Sequence, residues 1–224
     1  MIRVFIGYDD NETVAYHVLA HSILRHASQP VSITPIVKRH MQGFYDRDRS
    51  ELESTDFSFT RFLVPYLSDY QGWSIFMDCD MLMTADITDM WSLRDDRFSV
   101  MCVKHDYQAR DEVKFLGAVQ TRYEKKNWSS VMMFNNERCH ELTPRVVAEQ
   151  SGLFLHQFKW LADEGLIGDL PTTWNYLVGE MTMPGIPNLI HYTLGGPYFE
   201  GYRQCEHAEL WRAERELMLH AAKE

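Results

Sequence analysis

Positive charge is scarce in this chain. Lys and Arg number 22 against 32 Asp and Glu, a formal charge of −10 over 224 residues. Nucleic acid is excluded as the main partner, because nothing broadly basic is available to displace its counterions. A small phosphate-bearing ligand that arrives with its own cation is not excluded. Long apolar runs are missing too, and no window approaches the length of a transmembrane segment. The chain opens on Met1-Ile2-Arg3-Val4-Phe5-Ile6 with no basic stretch, apolar leader or cleavage site, so a cytoplasmic protein is expected. The cysteines Cys79, Cys102, Cys139 and Cys205 lack paired spacing, which argues against structural zinc or a disulfide framework and for reduced thiols. Internal repeats and Pro-, Gly- or Ser-rich linkers are also absent, so residues 1–224 are expected to form one domain. What remains is an ordinary globular composition, 45% hydrophobic and 24% charged, with aromatics at 13% on the rich side.

Residues 2–8 read as an apolar strand that breaks at Gly7 into the polar cluster Asp9-Asp10-Asn11. Residues 13–27 have helical spacing, with Val14, Val18 and Ser22 on one line and Ala15, Leu19 and Ile23 beside it. Residues 31–37 form a second strand, and Pro35 marks it as an edge or bulged one. Strand, helix, strand at this spacing starts a right-handed crossover unit, hence an α/β fold with a mostly parallel sheet. Residues 38–56 suit a loop or a short irregular helix. A helix over 57–70 carries an apolar stripe of Phe59, Phe62, Leu63, Tyr66 and Leu67, with Arg61 on its other side. Further strands are expected at 98–103, 131–134 and 188–192, and an extended piece at 170–175. Helices follow at 145–150, 153–162 and 206–222, the last with Leu210, Leu217 and Met218 inward. Residues 86–97 form a turn. Residues 104–127 read as a long polar loop of the kind that is functional or mobile.

Chemistry concentrates on Trp73-Ser74-Ile75-Phe76-Met77-Asp78-Cys79-Asp80-Met81-Leu82, an apolar run interrupted by two acids one residue apart. Such a run suits a buried strand. Alternation then projects Asp78 and Asp80 to one side and Cys79 into the core, where a small apolar residue would serve. Two carboxylates held together repel unless a positive charge lies between them, and a divalent cation is the natural candidate. The alternative is a strand end decorated by two acids. In an open α/β sheet, ligands settle beyond the carboxyl ends of the strands. His191 ends the last strand, and with the two acids it makes a mixed oxygen and nitrogen set suited to Mn²⁺ or Mg²⁺. Tyr8 and Asp9, after the first strand, could hold a heterocyclic base by stacking and by accepting a ring N–H. Alternatively they cap the core and start a turn. Arg61 would be a natural fork for a phosphate or carboxylate.

With these positions in hand, the chain resembles the retaining glycosyltransferases of family eight, the glycogenin and lipopolysaccharide galactosyltransferase type. The resemblance rests on Val4-Phe5-Ile6-Gly7-Tyr8-Asp9-Asp10-Asn11, on Ser58-Phe59-Thr60-Arg61-Phe62 and on Phe76-Met77-Asp78-Cys79-Asp80-Met81-Leu82. It extends to Leu170-Pro171-Thr172-Thr173-Trp174-Asn175 with Ile190-His191-Tyr192. It implies a glycosyltransferase A-type fold, a nucleotide-binding half over 1–103, and an acceptor-side half with a closing helix over 104–224. It also implies a UDP-sugar donor, a glycan or small-molecule acceptor, retention at the transferred sugar, and Mn²⁺ on Asp78, Asp80 and His191. Trp128-Ser129-Ser130 stands where the family has Asn-Ala-Gly, which gives Ser129 and Ser130 to the donor. The family's lysine after the histidine is missing, and Gly195-Gly196 replaces it as an anion nest, with Lys104 and Arg203 as alternatives. For the family's Asp-Gln pair the nearest candidates are Gln157, Asp163 and Glu164. A nucleotidyltransferase and a silent nucleotide-sugar-binding module are the competing readings. The first usually carries a basic glycine-rich loop, which Gly7-Tyr8-Asp9-Asp10 is not.

Overall fold

The computed structural model describes residues 1–48, 53–106 and 124–220. Among these the strands are β1 (Ile2–Gly7), β2 (Val31–Ile36), β3 (Trp73–Met77), β4 (Met81–Met83), β5 (Val100–Cys102), β6 (Val131–Asn135), β7 (Ile167–Asp169), β8 (Tyr176–Leu177) and β9 (Leu189–His191). The helices are α1 (Thr13–His26), α2 (Val64–Leu67), α3 (Ile87–Ser92), α4 (Pro144–Glu149), α5 (Gly152–His156) and α6 (Ala208–Leu219).

Six strands make the main sheet in the order β2-β1-β3-β6-β5-β7. β1 pairs in parallel with β2 and β3, and β5 with β7, while β6 runs antiparallel to both its neighbours. Strands covered on both faces read as continuous apolar runs, and Ile75-Phe76-Met77 and Val131 to Phe134 are fully buried. β2 lies at the edge, where Pro35 has no ladder N–H to forfeit. A second sheet, β4-β9-β8, stands beside the first. Its own apolar cluster joins Val18, Leu82, Tyr176, Ile190, Tyr192 and Trp211 between α1 and α6.

Several elements differ from the sequence reading. Residues 73–82 are not one strand: β3 stops at Met77, and β4 starts at Met81 in the other sheet. The stretch 57–70 is a 3-10 turn (Thr60–Leu63) followed by the single helical turn α2. Pro65 opens that turn, and Asp69 and Tyr70, in the left-handed region at φ 54° and 51°, end it. Tyr66 and Leu67 face outward, while Arg61 lies inside. The helix expected to run to residue 162 ends at His156, because Phe158 takes φ 58°. The extended piece at 170–175 contains a 3-10 turn, Thr172–Trp174, and β7 before it was not anticipated. The turn at 86–97 holds α3, capped by the Asp86 carboxylate accepting from the Thr88 N–H. On α6 the buried residues are Ala208, Trp211 and Glu214; Leu210 and Met218 pack half-buried against the same cluster as expected, while Leu217 is exposed. The central part of the expected long loop (107–123), the stretch 49–52 and the last residues of the closing helix lie outside the described residues.

Candidate functional site

The site forms where the chain leaves one sheet for the other. Asp78, just past β3, donates its N–H to the Ser130 carbonyl at 2.9 Å, which ties it to the start of β6. Asp80, just before β4, accepts the Tyr192 N–H at 2.9 Å, which ties it to the end of β9. Met81 pairs with His191 in the antiparallel β4–β9 ladder, so Asp80 lies next to the imidazole. One oxygen each of Asp78 and Asp80 and one nitrogen of His191 all lie within 4.8 Å of one another. Two neighbouring acids and a histidine far away in sequence thus converge on the bend between the sheets.

His191 is buried, and its Nδ1 stands 2.9 Å from the Asn175 Oδ1. The Asn175 amide is oriented by its own donors: Nδ2 gives hydrogen bonds to the Asn127 carbonyl at 3.2 Å and the Ser130 hydroxyl at 2.8 Å. A carbonyl can only accept, so the Oδ1 must face His191 and the Nδ1 must carry the proton. This leaves Nε2 to face the Asp80 Oδ1, 3.3 Å away. In the neutral imidazole that nitrogen is the one able to bind a metal ion. A polar group that fixes the tautomer of a histidine in this way is the usual support of a metal-binding imidazole. The donor set, two carboxylates and one imidazole, suits Mn²⁺ or Mg²⁺.

Arg61 is buried, which the sequence reading did not foresee. Its guanidinium packs over the Phe57 and Phe76 rings and meets the Asp78 Oδ1 at 2.8 Å. It also donates to the Phe57 carbonyl at 3.3 Å and the Ser129 carbonyl at 2.9 Å. Committed to these partners, Arg61 orients Asp78 and the 128–130 turn. The Ser129 hydroxyl pairs with the His156 Nδ1 at 2.7 Å, and the Ser130 hydroxyl donates to the Asn127 carbonyl at 2.7 Å. Ser129 and Ser130 therefore stand beside Asp78 with their hydroxyls engaged.

The carboxylate of Asp9 is saturated by its own turn. It accepts from the Asn11 N–H and side-chain amide, both at 2.9 Å, and from the Asp56 N–H at 3.0 Å. Tyr8 is half-buried, its hydroxyl 3.1 Å from that of Thr13 and its ring edge-on to Tyr16. Gly195 and Gly196 are held by ring packing. A Cβ on Gly196 would lie 2.2 Å from the Tyr198 ring, and one on Gly195, at φ 136°, would lie 2.6 Å from Tyr202. Gln157 ends α5, Asp163 caps the following 3-10 turn, and Glu164 pairs with Lys125 at the surface. Lys104 pairs with Asp169 at 3.2 Å, and Arg203 is exposed.

Sequence reasoning missed Glu12. It sits just before α1 with only 4% of its surface exposed. The Tyr198 hydroxyl donates to its Oε1 at 2.6 Å, and the Cys79 thiol to its Oε2 at 3.7 Å. Cys79 is buried as expected, though with a polar partner. Burial first, and then the nearby Asp80 charge, push the Glu12 carboxyl up to about 8. A glutamate inside the polar run 9–13, one residue before the helix, looks like a solvated end, and nothing local marks it as buried.

No family model matches the sequence. Among solved structures, the glycosyltransferase GlyE of Streptococcus pneumoniae superposes with a TM-score of 0.66 at 13% identity, covering 97% of this chain and 62% of that one. The bifunctional glycosyltransferase WbbM gives 0.62 at 14% identity over 96% of this chain and 49% of its own. This chain thus spans between half and two thirds of those two proteins. The galactosyltransferase LgtC, solved with donor and acceptor sugar analogs, gives 0.58 at 13% identity over 99% and 98% of the two chains. The fold is therefore the glycosyltransferase A type, mixed α/β around a mostly parallel central sheet. In sequence, Protein CDI of Arabidopsis thaliana is 48% identical over 223 residues, covering 96% of this chain and 86% of that protein. At that identity over that length, the chain belongs to the family of Protein CDI.

Proposed function

We propose that the protein is a metal-dependent retaining glycosyltransferase that moves a hexose from a UDP-sugar to a glycan or small-molecule acceptor. The observation that carries this reading is the Asp78–Asp80–His191 cluster at the bend between the two sheets, with His191 oriented by Asn175 so that its Nε2 faces Asp80. The fold it shares with GlyE, WbbM and LgtC supports a nucleotide-sugar donor. Mn²⁺, or Mg²⁺, would be held by Asp78, Asp80 and His191. Bound there, the ion supplies Lewis-acid stabilisation of the charge that develops on the leaving diphosphate.

The chain's own residues do the remaining work. Arg61 holds Asp78 in place from within the aromatic layer, and Asn175 holds His191. The Tyr8 ring offers a face to the base, while Asp9 shapes the turn that carries it. The backbone of the 128–130 turn, fixed by Arg61 and by the Asp78 N–H, borders the donor sugar. The test is release of UDP from a UDP-hexose with and without Mn²⁺. Release is expected to require the metal and to be lost in Asp80→Ala. Activity that survives both EDTA and Asp80→Ala sinks the metal assignment. Turnover of UTP with a sugar 1-phosphate would favour the nucleotidyltransferase reading instead.

A further inference from the structure

Glu12 joins three segments that the chain brings together from far apart. Its own position opens α1, immediately after the turn of Tyr8 to Asn11. Through its Oε2 it receives the thiol of Cys79, the residue between the two aspartates. Through its Oε1 it receives the hydroxyl of Tyr198, 186 residues away. Tyr198 in turn lies against Gly196 so closely that no Cβ fits between them, and its ring packs on Trp211 with centroids 5.3 Å apart. Ring and glycine loop are therefore packed directly against each other. A buried carboxyl group with no cationic partner among these contacts is costly, and a leucine would fill the same space at no such cost. What a leucine cannot do is accept from two donors on opposite sides.

We propose that Glu12 is a positioning residue that fixes the loop 195–198 against the metal corner, so that the loop's backbone stands ready for the donor diphosphate. The diphosphate part of this statement rests on the proposed donor site, whereas the anchoring of the loop does not. Amide exchange therefore tests the anchor alone, and UDP affinity tests its use. The Gly195 N–H donates to Tyr192 and the Phe199 N–H to Gly196, so both amides report on the loop.

The decisive variant is Tyr198→Phe, which removes the hydroxyl and keeps the ring. In metal-free protein it should speed hydrogen–deuterium exchange at these two amides about fivefold, the loss of one buried hydrogen bond. UDP affinity in the presence of Mn²⁺ should fall by a similar factor, while affinity for Mn²⁺ alone, read by electron paramagnetic resonance, changes less than about twofold. Glu12→Ala should reproduce these losses, and the double variant should add nothing to the larger single effect. Glu12→Gln, which keeps an acceptor for Tyr198, should restore most of the protection. Unchanged exchange in Tyr198→Phe overturns the proposal. So do additive losses in the double variant, or Glu12→Gln as damaging as Glu12→Ala. If the intact protein bound no UDP, the glycosyltransferase reading would fall, and the exchange data would still decide whether Glu12 anchors the loop.

Discussion

Glu12 and Glu214 are two glutamates almost equally buried, 4% and 3% exposed, and they touch opposite ends of the same helix. Their surroundings differ in sign. Glu214, on α6, is forked by the Arg25 Nε and Nη2 at 2.6–3.0 Å and receives His21 at 2.7 Å. Burial alone would raise its pKa, but the hydrogen bonds from Arg25 and His21 outweigh burial and hold it below the usual range. Glu12 receives only a phenol and a thiol and faces Asp80, so its pKa moves up. At one end of α1 the protein provides its own cation. At the other it gathers acids, spends Arg61 on Asp78 and, among the described contacts, gives Glu12 no cation.

The contrast breaks most sharply at Arg25. Arg25→Met strands the Glu214 carboxylate with a half-exposed histidine, and should lower stability by about 3 kcal/mol, seen as a fall in the urea midpoint. The pH dependence should invert as well. With its pKa held down, Glu214 contributes stability above its unfolded pKa and loses it as pH falls through the folded one. In the variant the folded pKa rises, and stability is lost as pH increases instead.

Glu12 already behaves as that variant should. Its folded pKa, about 8, stands above the ordinary glutamate value of 4.5, so the stability it contributes is complete below pH 4.5 and is lost as pH rises to about 8. In metal-free protein, Glu12→Gln should match the parent near pH 4.5 and exceed it by a few kcal/mol at pH 8. Added Mn²⁺ should remove part of that advantage. Parallel stability curves from pH 4 to 9 would show that the two glutamates do not differ. Asn175→Ala leaves both glutamates untouched and probes the external cation directly. It should weaken Mn²⁺ binding about 10- to 100-fold, roughly 1.4–2.7 kcal/mol, in a resonance titration. The smallest effect belongs to His21→Ala. Arg25 still forks Glu214, so a thermal melt should register a loss of no more than about 1 kcal/mol.

Most strands were legible, the central ones because burial on both faces makes them apolar runs, with the largely exposed edge strand β2 as the exception. β1, β2 with its edge proline, β6 and β9 emerged within a residue or two. The break after Met77 was not legible. Both halves of 73–82 are apolar, and composition does not say that they enter different sheets. Asp78 and Asp80 stood out because two acids one residue apart interrupt an apolar run, and His191 because it ends the last strand. Arg61 was misread because its partners, Ser129 and Asp78, lie 68 and 17 positions away, and helical spacing knows nothing of them. The same holds for Glu12, whose burial is conferred by Tyr198, 186 residues later.

The bend at Asp78–Cys79–Asp80 has a mechanical consequence. Asp78 is hydrogen-bonded to the main sheet through Ser130, and Asp80 and His191 belong to the small one. An ion on all three would be a further cross-link between two sheets already joined by the Asn175 hydrogen bonds to Asn127 and Ser130 and by the chain itself. Its binding energy would then appear as added resistance to unfolding, about 2.7 kcal/mol when free metal is about 100 times its dissociation constant. Chelation would loosen the seam between the sheets before it loosened either sheet.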